Sequence, residues 1–305
     1  MKIFIIKISL FFAVIILIDL SLGQILDYIQ IYAKGGATFR DNFICNELTC
    51  DVLLLGSSRC EHHYNPIIIS DSLGITCYNA GQAGNGIIVA YARYLMINER
   101  KRPLCLVYDV TPDFDLLKGY DNHRYLTWLR SYYDRECVKE IFETVDKMEK
   151  YKMISHLYRY NSRFIEEILD WLHPISDTSL RGFEPLNGEM DKNKIVINKN
   201  NNQPIEYVFD SLKISYLENI IDHAGKDRIV FTISPRWYGM DEKSYKPLVD
   251  MCKEKGVLLL DFANNPKYTY HDLFFKDGNH LNARGADEFT SELIGFIKPY
   301  IKPTK

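Results

Sequence analysis

The run Asp51-Val-Leu-Leu-Leu-Gly-Ser-Ser-Arg59 constrains this chain more than any other stretch. Apolar residues unbroken up to Gly56 suit a strand buried on both faces, as in a parallel sheet covered by helices. Glycine permits a sharp turn at its carboxyl end, and open α/β sheets bind ligands outside the carboxyl ends of their strands. Ser58 is therefore expected at a ligand crevice. Four further runs read as strands: Ile75–Asn79, Leu104–Val110, Arg228–Ser234 and Gly256–Asp261. Helical spacing fills the intervals at Pro66–Ser72, Ile87–Arg100, Tyr207–Ala224, Glu242–Lys255 and Ala283–Tyr300. This alternation predicts an α/β fold whose parallel strands are joined by right-handed crossovers.

The alternation lapses between about residues 113 and 206. Aromatic-rich helical patterns at Tyr125–Tyr133, Cys137–Tyr160 and Phe164–Leu172 precede an irregular stretch with Gly182, Pro185, Gly188 and Asn200-Asn-Asn202. A plain crossover needs far fewer residues, so this segment reads as an insertion on the crevice side. A substrate-binding lid and a small satellite core are compatible readings of it.

The amino terminus is of another kind. Lys2 and Lys7 precede an apolar stretch running to Ile18, followed by Asp19 and the small residues Ser21-Leu-Gly23. Residues 1–23 fit an uncleaved signal-anchor, the favoured reading, or a cleaved secretory signal. Either exports the body, with lysines on the cytoplasmic side and the body periplasmic or at the cell surface. Residues 24–50 form a lead-in, with Gln24–Ile31 amphipathic, and residues 51–305 form the main domain. Seven cysteines leave at least one unpaired, and Cys45 and Cys50 could close a small loop in an oxidising compartment. A net charge of −3 without a basic run offers no footprint for nucleic acid.

A serine hydroxyl needs an adjacent base, and the base an orienting group. In Phe275-Lys-Asp-Gly-Asn-His-Leu-Asn282, His280 is the candidate base and Asp277, three residues earlier, can fold back onto its imidazole. These stretches resemble the SGNH (GDSL-like) hydrolase family, in its membrane-anchored bacterial type. That family's first block is a strand followed by Gly-Asp-Ser and its last is Asp-x-x-His; here they are Gly56-Ser57-Ser58 and Asp277-Gly-Asn-His280. Asn79-Ala-Gly-Gln-Ala-Gly84 looks like the family's oxyanion-hole segment. The resemblance covers about residues 50–112 and 205–300. It implies a three-layer αβα sandwich with a flavodoxin-like parallel sheet of about five strands, and a Ser58, His280, Asp277 triad. The backbone N–H groups of Ser58 and Gly84 would bind the oxyanion.

One block departs from the pattern. Active relatives carry an asparagine donor after the third strand, where this chain has Pro112, which has neither a side-chain donor nor an N–H. Asn85, Gln82 or Thr111 would supply the third donor, or the hole has two. Arg59 is expected to contact the crevice or a carboxylate of the sheet, and Thr111 to lie near substrate. Adjacent His62 and His63 read as loop or packing residues, and no cofactor or metal is expected. Asp109, Asp113 and Asp115 form an acidic edge.

The resemblance implies an exported, membrane-anchored esterase or O-acyltransferase acting on acyl groups, acetyl foremost, of a cell-surface polysaccharide. The alternative is an idle carbohydrate-binding or assembly protein that keeps the fold. Residue pattern alone leaves open whether water or a sugar hydroxyl resolves an acyl-serine.

Overall fold

All five apolar runs form strands in the computed structural model, which describes residues 1–175, 178–191 and 206–301. They are β1 (Val52–Gly56), β2 (Cys77–Asn79), β3 (Cys105–Asp109), β4 (Ile229–Ile233) and β5 (Leu258–Asp261). Every neighbouring pair is parallel, in the order β2-β1-β3-β4-β5. This is the doubly wound order whose direction reverses at β1 and β3, and a crevice opens there beyond the strand ends.

The chain divides into two compact units, and the sheet belongs to the one formed by Leu48–Asp121 and Thr178–Lys305. Strand side chains alternate between faces. Val52, Leu54, Val107 and Val230 join Tyr64, Ile69, Phe262, Phe275, Phe289 and Leu293 in one core, where helices Ser58–His63, Pro66–Leu73 and Ala283–Ile297 pack together. Leu53, Leu55, Leu106, Tyr108 and Phe231 are equally buried, and helices Ile87–Asn98, Ser211–Ala224 and Lys246–Lys255 make the second helical layer. Each fully buried leucine or valine contributes roughly 1.5–3 kcal/mol over its exposed state. The fold is thus α/β, with helices on both faces of a parallel sheet. Helix starts follow local chemistry: Asn65 accepts from Ile67 N–H ahead of Pro66, Asp210 from Leu212 and Lys213, and Asn282 from Gly285.

Met1–Glu47 and Asn122–Asp177 form the second, helical unit. The long insertion expected over 113–206 is therefore divided: Asp113–Asp121 stays with the sheet, and the following helices join the amino-terminal segment. Residues 176–177 and 192–205 of it, Asn200-Asn-Asn202 included, lie outside the described residues. The first helix runs from Lys2 to Tyr32, so much of the lead-in is helical. Among the described residues it is the one helix long and apolar enough to cross a membrane. Phe164–Leu172 is a helix as expected, but the helix expected over Cys137–Tyr160 is three pieces, Glu136–Val145, Glu149–Lys152 and His156–Arg159. Asp146 and Ser155 explain the breaks, since their side chains accept the backbone N–H groups of Met148 (2.9 Å) and Tyr158 (3.2 Å). Buried polar contacts tie the unit together: Gln30 to Asn42, Tyr132 to Asn42, and Arg163 to Asp41 at 3.0 Å. None of the seven cysteines is in a disulfide, so the expected Cys45–Cys50 loop is not closed by one; both are buried and serve as small apolar side chains.

Candidate active site

Gly56 ends β1 with φ +152°, and a Cβ there would stand 2.7 Å from the carbonyl oxygen of Asp109. Only glycine lets the chain turn this close to β3. Ser58 then opens the short helix Ser58–His63, half-buried at the head of the sheet. Its Oγ lies 2.9 Å from His280 Nε2. His280 Nδ1 lies 2.9 Å from Asp277 Oδ2 and 3.1 Å from Oδ1. The three side chains form one hydrogen-bonded chain across 222 residues of sequence.

Asp277 is held in place by its own loop. Its Oδ1 accepts the backbone N–H groups of Asn279 (2.8 Å) and His280 (2.9 Å). Partial burial opposes its charge, but the His280 side chain and these N–H groups prevail and hold its carboxyl below the ordinary carboxylate range. An ionised Asp277 accepting at Nδ1 requires the proton on that nitrogen, which leaves Nε2 to accept from Ser58. That is the tautomer a general base needs.

A buried network beneath these groups joins the serine helix to the histidine loop. His63 Nε2 accepts the N–H of Leu281, the residue after His280 (2.9 Å), and Nδ1 donates to Ser234 Oγ (3.0 Å). Ser234 donates through Oγ and N–H to the two oxygens of Asp109 (3.0 and 2.9 Å), which also accepts from Tyr64 OH (2.8 Å). Burial, with His280 and Arg59 nearby, drives the His63 pKa well below 6.5 and keeps the ring neutral. His63, expected as a loop or packing residue, acts as a strut because Ser234 and Leu281 reach it from 171 and 218 positions away. Adjacent His62 donates from Nδ1 to Glu184 O (2.7 Å), and its ring packs edge-on to His280 at 5.5 Å.

Of the two roles expected for Arg59, the structure supplies the sheet carboxylate. The buried guanidinium stands 3.9 Å from Asp109 and donates to the carbonyls of Val110 and Ser234 and to Thr111 Oγ1. Thr111 is likewise committed: Oγ1 pairs with Ser57 Oγ at 2.6 Å and its N–H donates to Asp115. Both residues clamp strand ends through these contacts. Asp115 also accepts from Ile87 N–H and Tyr108 OH, while burial pushes its carboxyl up to about 7 against those donors. On the acidic edge, Asp109 and Asp115 are thus internal, and Asp113 lines a cavity of 380 Å³ with Tyr207, Arg236, Tyr238 and Asp241. Arg236 reaches from that cavity to Asn279 Oδ1 (3.1 Å), beside His280.

The segment after β2 passes the head of β1, where Gln82 N–H donates to Gly56 O (3.0 Å). Gly84 takes φ +72° there. Of the side chains considered as a third oxyanion donor, Gln82 is anchored through Oε1, which accepts from Arg93, and the Thr111 hydroxyl is engaged as above. Asn85 differs: it is 2% exposed, and neither Nδ2 nor Oδ1 has a hydrogen-bond partner. Pro112 begins a short helix after β3 and brings no donor.

Among the described residues, two groups could offer ligand atoms to a cation, each with those atoms within 4.8 Å: Glu61, His62 and Glu184, and, in the helical unit, His123, Asp146 and Glu149. In the second, Glu149 is already held by Lys152 (2.5 Å) and His123 (2.6 Å).

Neither a protein-family model nor a curated protein matches the chain. Among solved structures, it is similar to a protein from Desulfitobacterium hafniense DCB-2 described as lipolytic and of the G-D-S-L family. The two share 10% identity over 80% of this chain and 97% of that one, with a TM-score of 0.39.

Proposed function

We propose that the chain is an exported, membrane-anchored serine esterase or O-acyltransferase acting on acyl groups of a cell-surface polysaccharide. The observation that carries the reading is the Ser58–His280–Asp277 hydrogen-bond chain, with both links at 2.9 Å. In this reading His280 Nε2 takes the Ser58 proton as Oγ bonds to the ester carbonyl carbon. Asp277 stabilises the resulting imidazolium. Negative charge on the carbonyl oxygen meets the N–H groups of Ser58 and Gly84 and the Asn85 amide. The C–O bond to the leaving alcohol then breaks, with His280 returning the proton to that oxygen and Ser58 left acylated. Water or a sugar hydroxyl, deprotonated by His280, attacks the acyl-serine and regenerates the enzyme. The cavity around Arg236 and Tyr238 is the proposed place for the sugar.

A retained anchor is supported by the continuity of the first helix through Ser21-Leu-Gly23. Gly23 is buried, and a Cβ there would stand 2.2 Å from His156 Cβ. The Lys2 and Lys7 flank puts the body outside the cytoplasm in this proposal.

The test is turnover of p-nitrophenyl acetate by the full chain. Ser58→Ala and His280→Ala should each remove nearly all activity, and the double variant little more, because members of one catalytic unit are non-additive. Small, additive losses would favour the rival reading of an idle binding fold, to which Pro112 in place of a donor lends support. Acetate release against acetyl transfer from an acetylated glycan then separates hydrolysis from transfer.

A further inference from the structure

The first helix and the loop before His156 meet at a defined height. From Ile3 to Ile18 the helix carries one charged group, Lys7. Its most apolar window has mean hydropathy 2.7 and is unburied. At 1.5 Å per residue this stretch rises roughly 24 Å, slightly less than a hydrocarbon core of about 30 Å. Asp19 would then stand at the far boundary, where an ionisable group is costly unless satisfied. It is satisfied by Ser155 Oγ (2.5 Å) and the backbone N–H groups of His156 (2.9 Å) and Leu157 (3.2 Å). These bonds hold the chain around Ser155 at the level where the helix would leave the bilayer.

The residues just before Ser155 are unusual for a water-facing surface. Met148, Tyr151 and Ile154 are 60%, 58% and 74% exposed, while Glu149 and Met153 between them are buried. Lys147, Lys150 and Lys152 are exposed among them. Large apolar side chains interleaved with lysines, whose stems can lie on apolar surface while the ammonium reaches water or phosphate, are the composition of a segment lying in a membrane interface. A tyrosine with an apolar body and polar tip belongs at that depth.

We propose that Lys147–Ile154 lies in the headgroup layer of the bilayer that the first helix crosses, giving the helical unit a second contact with the lipid surface. A lone helix leaves its unit free to rotate about the membrane normal and to tilt; a second contact fixes the tilt. The proposal rests on reading the first helix as a span, and the test separates the two.

Full-length protein in phosphatidylcholine/phosphatidylglycerol nanodiscs is spin-labelled at Ile154→Cys, Tyr151→Cys, Val14→Cys and, as an aqueous reference, Glu136→Cys, with the unsubstituted protein giving the background. Accessibility to oxygen and to a water-soluble nickel chelate is measured at each site. Labels at 154 and 151 should be several-fold less accessible to the chelate than the label at 136, and shallower than the label at 14. If the label at 14 is in lipid while those at 154 and 151 match the reference, the second contact is refuted and the span stands. If the label at 14 is also in water, both fall.

Discussion

Replacing Asn85 by alanine should separate catalysis from stability. The amide is 2% exposed and unpaired at both ends, on a loop fastened to the head of β1. A buried polar group without a partner typically costs about 1–3 kcal/mol. Asn85→Ala relieves that cost and leaves a small cavity, so the unfolding free energy should change by less than about 1 kcal/mol, or rise. If the amide is kept to meet the developing oxyanion, its loss should lower kcat by about 10²–10³, equivalent to roughly 2.7–4 kcal/mol of transition-state stabilisation. KM should change little, because the interaction strengthens only as charge develops. Steady-state hydrolysis of p-nitrophenyl acetate and urea unfolding of the same samples give both numbers. An unchanged kcat, or a loss of stability large enough to explain the loss of rate, would refute the reasoning.

Two further predictions concern the network under the site. His63 is buried neutral with its pKa below the 6.5 of the unfolded chain; its contribution is complete above pH 6.5 and falls as pH drops and the unfolded state takes up the proton. Urea midpoints should decline below about pH 6.5, and His63→Gln should flatten that decline while lowering the midpoint at pH 7.5; an identical slope in the variant would contradict this. Asp109→Ala leaves the buried Arg59 guanidinium without its carboxylate and strips Ser234 and Tyr64 of their acceptor. It should cost about 3–5 kcal/mol by calorimetry or urea titration, and a loss under about 1 kcal/mol would show the pair to be dispensable.

What was legible in the sequence was local. Among the described residues each strand falls in a mostly apolar run, because a strand buried on both faces favours apolar side chains, as in Val52–Leu55. Asp277 and His280 were legible as a pair because a three-residue turn brings them together. Their meeting with Ser58 was what the resemblance to the SGNH family implied, and no spacing in the sequence shows it. The His63–Ser234–Asp109 strut was not legible, since its members lie at the end of a helix and at two separate strand ends and none forms a motif. Arg59 was undecided in sequence because both a crevice and a carboxylate lay within reach, and burial resolves it. Asn85 stood level with Gln82 and Thr111 until their hydrogen-bond partners were known. In the helical unit the apolar spacing over Cys137–Tyr160 hid two breaks, because Asp146 and Ser155 compete for backbone N–H groups without disturbing the periodicity.

An esterase of this kind requires that Ser58 be activated by His280. Covalent labelling by a serine-directed fluorophosphonate, read by peptide mass spectrometry on the full chain in detergent, measures that directly, since it needs the nucleophile and no knowledge of the glycan. The wild type should be modified at Ser58 alone, Ser58→Ala should lose the label while unfolding at the wild-type midpoint, and His280→Ala should label orders of magnitude more slowly. A folded wild-type protein that takes no label, or that labels at the same rate without His280, would contradict the esterase account.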